Sequence, residues 1–487
     1  MLPPWRLLLT GAFVTLGGSF HFGYSLSVVN PTVFLFQKFL NQSLSEHYGL
    51  TIDELGFRFL WSAVAGLVML GAMAGALIMP KLSQKVGRKR GLIISSILLL
   101  ISFPTMGLSK VVDAFEMFAV GRFLCGVGIG MATGFQGLYL TEISPIKFRG
   151  FMGMLIGMAV SMGFILGSVF GLPQVFGTAE LWPVAFYIEA TPTILLLIFL
   201  MRARETPTYL LVVGQRDEAR QSIVYYHGAD ANVEAVIKTI EQELELQTEQ
   251  MSFWQIWLHR PIRNAAFIAI MLNVTVSFSG IMAFSYFGTS LLKAIGMSDD
   301  AAGYANAGST TVGILSAVVS TILVERTGRK TLIMISLISL AILNTLMFIV
   351  VFIFERTNAS FLGYFFLLFI TLFNFLFGCG MGPLAWFIGT ELSPQYARSK
   401  VQSLGISSQY ITSFLSPIIY FPLEELVGPF SFFLFIIPLC TTAVYFYWRL
   451  PETKNREIGD IMLDLGAKSK PNRSVLLTDS TSSLTVF

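Results

Sequence analysis

Long, nearly uninterrupted apolar runs recur along the whole chain, each about as long as a bilayer is thick. They fall at 8–30, 59–80, 91–109, 115–140, 150–171, 181–201, 263–292, 301–324, 331–354, 360–389, 399–422 and 429–449. Inside lipid the backbone must satisfy its own hydrogen bonds, so these runs predict helices, and the chain reads as an all-α polytopic membrane protein of about twelve spans. Composition agrees: 54% of the 487 residues are hydrophobic and 13% charged, against about a quarter charged in soluble domains.

The formal charge of +3 decides little, but its distribution decides orientation. Lys81, Lys85, Arg88, Lys89 and Arg90 follow the second run, and Lys147 and Arg149 the fourth. Arg326, Arg329 and Lys330 follow the eighth, Arg398 and Lys400 the tenth, while the intervening loops carry single scattered bases. Basic loops stay cytoplasmic, which places both termini and the middle loop in the cytosol, with the plasma membrane as the expected location. Residues 1–30 read as the first span rather than a signal peptide, being long for an h-region and lacking a small-residue cleavage site. Cys125, Cys379 and Cys440 lie within spans, so no disulfide framework is implied. The sequon Asn41-Gln42-Ser43 falls in the loop between spans one and two, on the outer side, and Asn41 is the expected glycosylation site.

Three motifs of the cytoplasmic loops occur twice in the same order. Gly87-Arg88-Lys89 recurs as Gly328-Arg329-Lys330, and Glu205-Thr206 as Glu452-Thr453. Glu142-Ile-Ser-Pro145-Ile-Lys-Phe-Arg149 recurs as Glu391-Leu-Ser-Pro394-Gln-Tyr-Ala-Arg398, with the Glu-to-Arg spacing kept. Ordered repetition at half the chain length means two homologous halves, 1–201 and 263–450. Between them, 202–262 is a polar linker with helical spacing at Arg216–His227 and Val233–Gln247; the tail 451–487 reads as disordered beyond about 468. The repeated acids and bases sit where neither is fully solvated. Pairing between helices and between halves, made while the cytoplasmic side is shut and broken when it opens, would bias one conformation over another. The plainer reading is topology markers and helix caps; kept spacing favours gating.

These motifs, with Phe22-Gly23-Tyr24, Val29-Asn30, Gly121-Arg122-Phe123, Ser279-Gly280-Ile281, Val324-Glu325-Arg326, Gly382-Pro383, Trp386-Phe387-Ile388 and Pro451-Glu452-Thr453-Lys454, resemble the sugar porter family of the major facilitator superfamily, especially its animal facilitative glucose/fructose branch. The likeness runs over about residues 8–465 and implies twelve helices in two pseudo-symmetric six-helix halves, a central cavity and alternating access. It makes Arg88, Glu142, Arg149, Glu205, Glu325, Arg329, Glu391, Arg398 and Glu452 the gating groups. The sequence departs from the family where hydroxyl-binding amides are usual: Gly157, Val276, Ser277, Met282 and Gly313 stand at amide positions, and Gly378 at a glutamate position. Amides suit sugars because each offers both donor and acceptor. Candidates that survive or substitute are Asn273, Ser277, Tyr286, Trp386, Gln409 and Tyr410, with His21 pointing toward the cavity if span one keeps the family register. Ser25 stands where proton-driven relatives carry Asp, which favours uniport.

Arg122, His21 and Glu189 are the ionisable groups inside spans, expensive to bury and therefore informative. Arg122 reads as structural, Glu189 as half of an ion pair or a snorkelling carboxylate, and His21 as either a ligand contact or a packing residue. The expected function is facilitative uniport of a hexose such as glucose or fructose, or a related polyol. Alternatives are a non-sugar solute such as urate, suggested by the missing amides, and a sensor that binds without transporting. With four His and no nucleophile–base pair or metal-spaced cluster, an enzyme is not expected, nor are a metal, cofactor or nucleic acid. Thr485-Val486-Phe487 resembles a peptide that adds a strand to a PDZ domain.

Overall fold

The computed structural model describes residues 3–49, 53–145, 148–228, 232–245, 251–386, 388–454, 456 and 458–466, and the tail motif Thr485-Phe487 lies outside them. Helices occupy the predicted runs, and no strand occurs among the described residues. The first half contains α1 (Trp5–Leu16), α2 (Ser19–Ser27), α3 (Val33–Tyr48), α4 (Glu54–Val86), α5 (Arg88–Leu108), α6 (Phe115–Ile143), α7 (Arg149–Phe170) and α8 (Trp182–Arg202). Four short helices follow: α9 (Pro207–Val212), α10 (Arg216–His227), α11 (Val233–Glu245) and α12 (Phe253–Leu258). The second half contains α13 (Arg260–Ser277), α14 (Ile281–Ala294), α15 (Asp299–Thr327), α16 (Arg329–Thr357), α17 (Leu362–Cys379), α18 (Met381–Ala385), α19 (Ile388–Glu391), α20 (Gln395–Val427) and α21 (Phe433–Arg449), before the terminal α22 (Ile458–Asp464).

Among the described residues nine stretches are long and apolar enough to cross a membrane, and one of them, Tyr396–Arg449, covers both α20 and α21. Divided at the 3-10 turn Gly428–Phe432, and joined by α1–α2 and α15, they fit twelve passes. The helix α16 illustrates the physics. It buries Leu332, Ile333, Leu337, Leu340 and Met347, while Ile335, Ile338, Ile342, Ile349 and Ile353 face outward. A helix apolar all round needs protein on one side and lipid on the other. One core cluster draws only on residues 256–465; two others belong to the first half, one of them joined by Met282, Tyr286, Phe287 and Tyr410 from the second.

Three spans read as continuous from hydropathy are broken. Span one divides at Gly17–Gly18, span seven between Ser277 and Ile281, and span ten after Cys379 and again after Ala385. Side chains take up backbone groups that these breaks release, as membrane depth requires. Asn344 donates to the Ser279 carbonyl at 3.0 Å, and the Ser336 hydroxyl accepts from the Met381 amide at 3.1 Å. Gly280 caps α14 with a φ of 105°, a conformation L side chains rarely adopt.

The loop expected around Asn41 is instead helix α3. Val33, Phe36, Leu40 and Leu44 recur at helical spacing and pack into the first-half core, leaving Asn41 outward, while the buried Ser43 hydroxyl accepts from the Phe115 amide at 3.1 Å.

Candidate transport site

Two nearly superposable ionic knots close the ends of the halves on the side that carries the linker. In the first, Arg88 at the start of α5 reaches Glu142 at the end of α6 through Nη2 at 2.7 Å and Nε at 3.0 Å. The Thr206 hydroxyl donates to the same carboxylate at 2.5 Å, and Glu205 accepts the backbone amides of Arg88 and Lys89 at 3.2 and 3.0 Å. In the second, Arg329 reaches Glu391 at 3.2 Å, Thr453 donates to Glu391 at 2.5 Å, and Glu452 accepts the amides of Arg329 and Lys330 at 2.8 and 3.1 Å. A carboxylate at a helix start answers both the free N–H groups and the positive end of the dipole. Gly87 and Gly328 precede those starts with φ of 87° and 93°, and a Cβ on either would run into Glu205 or Glu452. Burial pushes the Glu452 carboxyl up, but the amides of Lys454, Arg329, Thr453 and Lys330 outweigh it and hold the group below its ordinary value.

Pairing between helices, one of the two arrangements expected of these groups, is what the geometry holds in each half. The ion pairs resolved between described side chains lie within one half, the linker or the tail. The side chains of Arg149 and Glu325 lie outside the described ones; Arg398 leaves its Nε without a hydrogen bond. The contacts that join the halves lie elsewhere. At the end away from the linker, Asn30 donates to the carbonyls of Phe284 and Ser285 at 3.0 and 2.8 Å and accepts from the Thr289 amide at 3.0 Å. Gln174 bonds Asp300 at 3.1 Å, and Lys293 stands over the Phe34 ring at 3.6 Å. Asn30 was visible as a motif residue but carried no assigned role; the carbonyls that it grips lie within α14 of the other half.

Five of the candidate contact residues come together where α13, α18 and α20 meet. Asn273 donates to the carbonyls of Ala269 and Ala385 at 2.8 and 3.3 Å, and the Ser277 hydroxyl donates to the Gln409 carbonyl at 3.0 Å. Trp386 lies edge-on to Tyr410 at 6.3 Å and, across the interface, to Phe22 at 6.0 Å. Tyr286, on α14, packs where the second half joins the first-half core. Asn273 Oδ1, Gln409 Oε1 and the Tyr286 hydroxyl are buried without hydrogen-bond partners, as is Nδ2 of Asn306 on α15, a residue not singled out from the sequence. Each such group costs about 1–3 kcal/mol until a partner arrives.

His21 is the correction among the candidates. Instead of facing the space between the halves it turns into the first half. Its Nδ1 lies 3.2 Å from Glu189 Oε1, and its Nε2 lies 2.7 Å from the Thr193 hydroxyl. Ser25 donates to the same Glu189 oxygen at 2.8 Å, while Arg122 donates to the carbonyls of Ser25 and Ala65 at 2.6 and 2.7 Å. Glu189 therefore stands beside Ser25 and His21, forming an ion pair with the latter whenever the imidazole is protonated, with Oε2 unpartnered.

The family profile described as "Sugar (and other) transporter" matches residues 11–464. The chain belongs to this family. Facilitated glucose transporter member 3 of Gallus gallus is 30% identical over 448 residues, covering 91% of this chain and 89% of that protein. Member 4 of Homo sapiens is 30% identical over 465 residues, covering 93% and 90%. Among solved structures, the xylose transporter XylE from E. coli in a partially occluded inward-open conformation matches with a TM-score of 0.77 at 19% identity, over 93% of this chain and all of that one. The proton:xylose symporter XylE bound to 6-bromo-6-deoxy-D-glucose matches with a TM-score of 0.72 at 18% identity, over 94% and 99%. The fold is that of the major facilitator superfamily, and this sugar-transporter family member is a multi-pass membrane carrier rather than an enzyme.

Proposed function

We propose that this sugar-transporter family member carries a hexose or a related polyol by alternating access, as a uniporter. The observation that carries the reading is the set of unpartnered buried groups, Asn273 Oδ1, Gln409 Oε1 and the Tyr286 hydroxyl, beside Trp386. Two acceptors and a hydroxyl suit the hydroxyl-rich edge of a sugar, and the indole supplies an apolar wall for its C–H face. Asn30 closes one end of the pathway by gripping the backbone of the broken span seven. The two linker-side knots keep each half rigid, so that the halves rock as bodies about the substrate. Glucose, which the names of the relatives carry, and fructose are the first to test, and the basic loops favour a cytoplasmic side for both termini.

A second reading, proton-coupled uptake, is favoured by Glu189. The carboxylate absent from span one is supplied within 3 Å of Ser25 by α8 and is paired with His21. Uptake of labelled glucose, fructose and urate into proteoliposomes, with and without an imposed pH gradient, tests both. Hexose uptake that ignores the gradient, in the wild type and in Glu189→Gln alike, supports uniport. Accumulation driven by the gradient and abolished in Glu189→Gln overturns uniport, and urate uptake without hexose uptake overturns the substrate.

A further inference from the structure

Helix α12 has six residues, Phe253-Trp-Gln-Ile-Trp-Leu258, and only Ile256 enters the second-half core. Trp254 is 81% exposed and Leu258 79%, and Phe253 and Trp257 are exposed beside them. Such a surface does not belong in bulk water. Its height in the molecule says what it meets. Trp5 at the start of α1 and Tyr447 and Trp448 at the end of α21 are also exposed, at 65%, 63% and 76%, and α12 leads directly into α13, whose first residue is at the same end. All of these exposed rings stand at helix ends on the linker side, where amphipathic rings of a membrane protein sit among headgroups.

Bases flank it. His259, Arg260 and Arg263 are exposed just after α12, with Arg263 Nη1 3.4 Å from the Trp257 carbonyl, and the Lys400 ammonium stands 4.6 Å from the Phe253 ring. The sequence holds no acid from Met251 to Ser298. We infer that α12 and its basic flank, His259, Arg260, Arg263 and Lys400, form a binding site for anionic phospholipid headgroups in the linker-side leaflet. Apolar area alone would accept any lipid; the exposed bases beside it select a negatively charged headgroup. Because α12 also packs on α13 and α20, and hydrogen-bonds into the start of α20 through the Met251 amide and the Tyr396 carbonyl at 3.1 Å, the bound lipid would brace the end of the second half against the leaflet.

The full chain in nanodiscs tests this through tryptophan fluorescence. Phosphatidylserine brominated near the top of its acyl chains is compared with equally brominated phosphatidylcholine, each diluted into unlabelled phosphatidylcholine. The wild type is expected to be quenched more by the brominated serine lipid, with the excess shrinking as salt rises. Arg260→Gln/Arg263→Gln is expected to raise about thirtyfold the mole fraction of serine lipid that gives half the excess, since each of the two bases contributes roughly 1 kcal/mol. Trp254→Phe, which keeps the apolar face, is expected to remove a large part of the excess. Equal quenching by the two lipids in the wild type overturns the site, as does an excess that either variant leaves unchanged. A Trp254 contribution quenched by neither lipid also overturns it, and leaves the face to a protein partner.

Discussion

The two halves tie off their linker-side ends with the same four groups and yet hold their interiors together differently. Arg88, Glu142, Thr206 and Glu205 are matched one for one by Arg329, Glu391, Thr453 and Glu452, down to the threonine hydroxyl 2.5 Å from each glutamate. Inside, the contact of span one with span six is the pair His21–Glu189 at 3.2 Å, while the corresponding contact of spans seven and twelve is two hydroxyls, Thr275 and Thr442, at 2.7 Å. The first half adds Arg122, fully buried, and the second has no charge in the matching network, where Asn344 and Ser413 serve instead. Duplication has been kept where both halves meet the same task, bracing helix ends at a boundary with water. It has been relaxed at membrane depth, where one ionic network is enough to suggest a task that one half alone performs.

The largest effect expected is from Arg122→Met. The side chain is nearly isosteric but leaves the carbonyls of Ser25 and Ala65 without a donor and removes the one positive charge near Glu189 that does not depend on protonation. Breaking a buried ionic arrangement from one side costs about 3–5 kcal/mol, so monodisperse protein should largely disappear on size exclusion. A variant with the wild-type thermal midpoint would mean the first-half interior is no more ionic in energy than the second. Next come Arg88→Gln and Arg329→Gln, each expected to lose about 1.5–3 kcal/mol, as hydrogen bonds to charged groups do. The informative result is their equality: midpoints that drop by similar amounts support equivalent knots, and a large inequality breaks the comparison.

A smaller, pH-dependent effect belongs to Glu452. Its carboxyl titrates below the ordinary range in the folded chain, so the unfolded chain binds a proton first as pH falls. The stabilisation is therefore complete above the ordinary carboxylate range and is lost as pH drops through the lower folded value. The difference in thermal midpoint between the wild type and Glu452→Gln should stay constant from pH 8 to about 6 and shrink only in acid below the ordinary carboxylate range. A difference that vanishes near neutrality would contradict the amide cradle around this group.

Much of this architecture was legible in the sequence because it rests on patterns that water and lipid enforce locally. Bilayer-length runs, basic loops and the repeated Gly-Arg-Lys, Glu-to-Arg and Glu-Thr motifs each state a physical constraint without reference to distant residues. The breaks in spans one, seven and ten were not legible, since hydropathy is blind to whether a helix continues; their freed backbone groups are met by Gln136, Asn344 and Ser336, far away in the chain. Spacing shows that acids and bases repeat, and allowed pairing between helices and between halves without choosing; the pairs resolved join helices of one half. His21 was placed wrongly because register alone cannot tell one face of a broken helix from another, and its partners Glu189 and Thr193 are about 170 residues distant. Asn41 was read as loop because a short amphipathic helix outside the membrane leaves no bilayer-length signal.

The smallest effect is the one that discriminates most finely. Thr442→Val removes a hydroxyl while keeping shape, and it leaves the Thr275 hydroxyl with a second partner, the Met271 carbonyl at 2.8 Å. No buried group is orphaned, so the expected cost stays below about 1 kcal/mol, a shift in midpoint small beside that of Arg122→Met. Glu189→Gln in the matching place of the first half keeps the acceptor for Ser25 and His21 but removes a charge that Arg122 and His21 are arranged around, so it should cost more. If the two substitutions move the midpoint equally, the ionic network of the first half contributes no more than a pair of hydroxyls, and the asymmetry between the halves would have to be sought in turnover rather than in stability.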